Sequence, residues 1–122
     1  MSKIIAKVEL RGEPNEVAPE GIQINEGDGG TLDTHKFLVG VLNYWDAKRL
    51  DPKATRTFEQ TVVGLDAMRE VRLAQKESRS AKLTNEQYKL IEPTIKEYAM
   101  KAYGFHAVTV IEHYDKAVSE EK

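Results

Sequence analysis

The sequence contains no cysteine. Disulfide staples, thiolate metal sites and cysteine nucleophiles are therefore excluded, and the fold must rest on packing and hydrogen bonds whatever the redox compartment. An excess of charge of one sign is also missing. Eighteen Lys and Arg against 20 Asp and Glu leave a formal charge of -2 and a pI near 5.9, so no global field draws the chain to nucleic acid or to an anionic membrane. Long apolar runs are absent too: the opening MSKIIAKVEL is broken by Lys7 and Glu9, which predicts neither a signal peptide nor a membrane span. No serine sits in a nucleophile elbow, and no pair of carboxylates stands among apolar neighbours. No catalytic residue, cofactor or metal ion is therefore predicted, and the chain is expected to be non-enzymatic and cytoplasmic.

What is present suits one domain over residues 1–122, with 40% hydrophobic and 31% charged residues. In residues 3–11, Ile4, Ala6, Val8 and Leu10 alternate with Lys3, Lys7, Glu9 and Arg11, Ile5 being the exception. That period of two predicts a half-buried strand. After Gly12, Pro14 and Asn15, the turn Pro19-Glu20-Gly21 leads to a second short strand with Ile22 and Ile24, completing a two-stranded antiparallel β-ribbon over 3–25. Two strands alone are marginal in water, so the ribbon must lean on helices or be completed by another chain.

Four helices are predicted after it. The first, over 31–50, is capped by Thr31 or Asp33 and places Phe37, Leu38, Val41, Leu42, Tyr44 and Trp45 on one face. The second, over 52–77, starts at Asp51-Pro52, a capping aspartate with proline in the first turn. The third, over 84–103, opens with the capping box of Thr84 and Gln87 and contains Pro93, which should kink or break it. Gly104 offers a stop, and Ala107, Val110, Ile111, Tyr114, Ala117 and Val118 then predict a terminal helix over 105–118. Residues 119–122 read as a frayed tail. The fold class is α+β, a ribbon followed by a bundle of about four helices.

The second helix is apolar on two faces. Phe58, Val62, Leu65 and Leu73 lie on one side, and Val63, Ala67, Val71 and Ala74 on the other. Such a helix is either central in its domain or meets a partner with its second face. The partner reading assigns the interface to Val63, Ala67, Val71 and Ala74, with Ile5 on the outer face of the strand. Arg69, Arg72, Lys76, Arg79 and Lys82 concentrate positive charge at the end of this helix and beyond it. On a nucleic-acid reading they form a phosphate-neutralising stripe, and on a simpler one they complement the helix C-terminus among Glu70 and Glu77. His106 and His113 stand seven apart, about 10 Å along a helix axis and too far for one metal ion. They read as edges of the apolar stripe, and His35 reads as a surface residue. The run EGDGGT over 26–31 lacks the lysine and spacing of a P-loop and the alternating oxygens of an EF-hand. It reads as a linker.

Taken in order, the opening strand, the TLDTHKFLVGVLN helix, the LDAMREVRLAQKES helix end and the LTNEQ helix start at Leu83 to Gln87 resemble a loose group of small bacteriophage-encoded proteins. This chain carries Asn85 and Gln87 where that group favours acids. The resemblance implies an accessory protein working by binding in the host cytoplasm, with a phage or host protein as partner. Together the features predict a non-enzymatic, self-associating protein, with a nucleic-acid-binding accessory protein as the alternative. A pocket near Tyr44, Trp45 and Tyr98 would be the place for a small ligand.

Overall fold

The N-terminal strand sits in the middle of a sheet whose other members come from the second half of the chain. The computed structural model describes residues 2–10 and 32–120. In it, β1 (Lys3–Ile5) pairs antiparallel with both β4 (Ala81–Leu83) and β5 (Val118–Glu120), giving the order β4-β1-β5. Ile5 lies opposite Ala81 on one side and Val118 on the other. A second, two-stranded sheet joins β2 (Glu9–Leu10) to β3 (Leu32–Asp33).

The expected N-terminal ribbon is therefore corrected in its pairing. Its proposed second strand, with Ile22 and Ile24, lies outside the described residues. The single long strand is instead split, because Thr34 holds the chain where it leaves the sheet. Its hydroxyl donates to the Ala6 carbonyl (2.5 Å) and accepts from the Val8 amide (3.2 Å), while its own amide donates to the Val8 carbonyl (3.1 Å). The tail is corrected as well: Val118–Glu120 form β5, and the Ala6 amide donates to the Ala117 carbonyl. The strand is completed by this chain's own segments.

The helices are α1 (Thr34–Ala47), α2 (Phe58–Glu77), α3 (Asn85–Tyr103) and the shorter α4 (Ala107–Ala117). The helical part differs from an even bundle of four. The three long helices pack on one another in every pair, whereas α4 packs chiefly on α3 and hands the chain to β5. Asp33 caps α1 by accepting from the Lys36 amide at 2.7 Å. The α2 start is corrected from residue 52 to Phe58, because Thr57 and Gln60 form a reciprocal capping box there and Asp51-Pro52 lies in the preceding turn. Thr84 and Gln87 make the same box at α3. Pro93 neither breaks nor divides α3, which continues to Tyr103; the proline is exposed, so water can reach the carbonyl it leaves unpaired.

The core lies between β1, β4 and the helices, around Ile5, Phe37, Leu38, Val41, Val71, Leu83 and Ile91. Two glycines set helix spacing within it. A Cβ on Gly40 would overlap the Tyr98 ring, and one on Gly64 would overlap the Trp45 ring.

Candidate association surface

Helix α2 is apolar on two faces, and only one of them is covered. Gly64, Ala67, Val71 and Ala74 are buried, since their small side chains let α2 lie close on α1 and α3. The opposite face carries Phe58, Val62, Leu65 and Leu73, which are 78%, 41%, 47% and 47% exposed. This reverses the sequence-based assignment. Ile5, Ala67, Val71 and Ala74 are fully enclosed in the core and have no surface to offer a partner, and Val63 is half-buried. Large residues made the wrong face look like the core, although close helix packing selects small ones.

The basic residues divide in two. Arg69, Arg72 and Lys76 follow Val62 and Leu65 at helical spacing, so the outer face of α2 carries most of its apolar residues in its first half, beside the acids Glu59 and Asp66, and its bases, with Leu73, in its second. Arg69 reaches Asp66 at 3.7 Å, whereas Arg72 and Lys76 make no ion pair among the described residues. Arg79 turns back instead. Its guanidinium grips Glu70 through two hydrogen bonds (2.8 and 3.0 Å) and Glu77 through another (2.8 Å), and Glu70 also accepts from the Lys82 amide at 2.8 Å. The Arg79 hydrogen bonds hold the Glu70 carboxyl below its ordinary range, against the opposing effect of its partial burial. Lys82 lies in β4, so Arg79 and Lys82 do not extend a phosphate-facing stripe along α2.

A shallow groove of about 300 Å³ runs beside this face between α1 and α2, lined by Leu42, Asn43, Thr61, Leu65, Met68 and Arg72. A larger cleft of about 570 Å³ lies beyond the C-terminal end of α1, between Tyr44, Trp45, Lys48, Lys53, Arg56, Leu90 and Glu97. Its polar groups mostly serve one another. Arg56 stacks on Trp45 at 3.5 Å and donates to the Trp45 carbonyl, while Lys48 pairs with Glu97, which also accepts from the Tyr44 hydroxyl at 3.2 Å. Tyr98 does not line it; its ring packs on Phe37 and Tyr44, each at 5.8 Å.

His35 and His113 hold structure. His35, expected at the surface, is fully buried, and its Nε2 meets the Arg79 carbonyl at 2.7 Å; a carbonyl can only accept, so Nε2 carries the proton. His113 reaches the Val8 carbonyl at 3.1 Å, and no three potential metal ligands converge among the described residues. The EGDGGT run lies outside the described residues. No described helix is long and apolar enough to cross a membrane. A second exposed apolar group went unnoticed in the sequence: Met100, Phe105 and Val108, which are 62%, 99% and 65% exposed at the α3–α4 corner. Their signal was that Met100 falls off the Ile91, Ile95, Ala99 stripe of α3, and Phe105 and Val108 off the Ala107, Val110, Tyr114 stripe.

No family model, curated protein or solved structure matches this chain.

Proposed function

We propose that this protein is a small non-enzymatic accessory protein that acts by association and self-associates through the outer face of α2. The carrying observation is the exposed stripe of Phe58, Val62 and Leu65 on a helix whose other face is already enclosed. Taking such a side chain from full exposure to full burial is worth on the order of 1.5–3 kcal/mol, so Phe58 stands to gain most of that and Val62 and Leu65 a little under half, and a contiguous apolar stripe rimmed by charge is the usual mark of a protein interface. The resemblance of the TLDTHKFLVGVLN and LTNEQ segments to small phage proteins supports an accessory role, with a phage or host protein as a further partner.

Light scattering coupled to size-exclusion chromatography tests the reading. The expected mass rises with concentration to at least twice 13.8 kDa, and Leu65→Asp returns the protein to monomer without changing its melting temperature. A monomer at every concentration would overturn self-association. The nucleic-acid alternative would use Arg69, Arg72 and Lys76. It requires salt-sensitive retention on DNA or RNA that weakens when Arg72 and Lys76 become glutamine, and it leaves the Phe58, Val62 and Leu65 half of the face unused.

A further inference from the structure

The exposed face of α2 has a counterpart elsewhere on the same chain. On α2, Val62, Leu65, Arg69 and Arg72 occur at i, i+3, i+7 and i+10, apolar first and basic after. Phe105, in the 3-10 turn Gly104–His106 that leads into α4, and Val108, Glu112 and Asp115 on α4 itself occur at the same four spacings, apolar first and acidic after. All eight are exposed. Neither Glu112 nor Asp115 makes an ion pair among the described residues, and Arg72 likewise makes none. Spacings of three and four alternate to keep side chains on one edge of a helix.

We infer that the α2 face of one copy receives the Phe105–Asp115 face of another, so that self-association is head-to-tail. Docked parallel, Val62 and Leu65 meet Phe105 and Val108, and Arg69 and Arg72 meet Glu112 and Asp115. A pairing of α2 with α2 satisfies the chemistry less well. Run parallel, it places Arg69 and Arg72 against themselves; run antiparallel about its middle, it sets Arg72 against Val62 and Arg69 against Leu65, and leaves Glu59 and Asp66, each a turn away from Val62, as the nearest acids for Arg72. The two faces lie on helices that both pack on α3 and pack little on each other, so one copy can engage two neighbours. A heterologous contact of this kind closes into a ring or continues as an open chain. Four residues a side make a small interface, for which weak, concentration-dependent association that loosens with salt is expected.

This inference rests on the self-association proposed above, and complementation separates the two. Leu65→Glu spoils only the α2 face and Val108→Lys only the α4 face, both at exposed positions. Each variant alone is expected at 13.8 kDa, while their equimolar mixture forms a capped one-to-one dimer, because each supplies the face the other lacks. As a second pair, Arg72→Glu and Asp115→Lys should each lose mass singly and regain it in the double variant. Circular dichroism melts confirm that all four remain folded. A mixture that stays monomeric would overturn the head-to-tail arrangement, and a Val108→Lys protein that assembles like the parent would overturn it and leave pairing through α2 standing. A parent that is monomeric throughout would remove both.

Discussion

Glu70 ties the end of α2 to β4, accepting from both the Arg79 guanidinium and the Lys82 amide. Its folded pKa lies below the ordinary 4.5, chiefly because of the Arg79 hydrogen bonds. A carboxyl depressed on folding contributes stability that is present above its unfolded pKa and is lost as pH falls through the folded value. Glu70→Gln should therefore destabilise the protein at neutral pH by about 1 kcal/mol, the scale of one net hydrogen bond. The gap to the parent should close when melts are run well below pH 4.5; a gap independent of pH would place the effect in packing. Gly64 acts by absence, since the Trp45 ring occupies the space a Cβ would need. Alanine ordinarily favours a helix over glycine by about 1 kcal/mol, yet Gly64→Ala should destabilise by about 1–3 kcal/mol through overpacking, with a shift in Trp45 emission. Ser78 ends α2 at φ 52°, the one described non-glycine residue in the left-handed region. Ser78→Gly should raise stability by about 1 kcal/mol in a denaturant titration.

The helices were legible where local chemistry decided them and obscure where tertiary contacts did. Thr84 with Gln87 marked the start of α3 because a capping box is complete within four residues of sequence. The same box at Thr57 and Gln60 was hidden behind Asp51-Pro52, a good start signal that the chain uses only in a turn. Thr57→Ala should therefore cost roughly 0.5–2 kcal/mol, while Pro52→Ala leaves the helix and its melting temperature almost unchanged; equal effects would return the start of α2 to residue 52. The three-residue strands β4 and β5 gave no local signal, for AKL and VSE become strands only because Lys3–Ile5 lies between them. The site was half legible. Two faces of α2 could be read from periodicity, but which one faces inward depends on Gly64 and Ala67 fitting against neighbours remote in sequence. Buried His35 was missed for the same reason, its partner carbonyl being 44 residues away.

Closing the sheet joins the two ends of the chain, since β1 receives β5 along one edge and the Ala6 amide reaches the Ala117 carbonyl just beyond it. The strand that was expected to lean on helices or be completed by another chain has both edges occupied by its own chain, so an exposed ribbon edge is no longer a reason for self-association. The proposed route is then the surface faces of α2 and α4, and the sheet becomes a test of fold alone. Removing residues 118–122 uncovers one edge of β1 and forfeits a few backbone hydrogen bonds, each with a net contribution of about 0.5–1.5 kcal/mol. The truncated protein should melt roughly 4 °C lower for each 1 kcal/mol lost, between the scales of smaller and larger domains, with faster amide exchange confined to β1 and its flanks. Glu120→Gln, which removes only the exposed pair with Lys3, should leave the melt nearly unchanged because water screens such pairs. If truncation also abolished association while the α2 and α4 variants retained it, the sheet edge and not the helix faces would be the contact. The expected separation is the reverse, with stability following β5 and assembly following Leu65 and Val108.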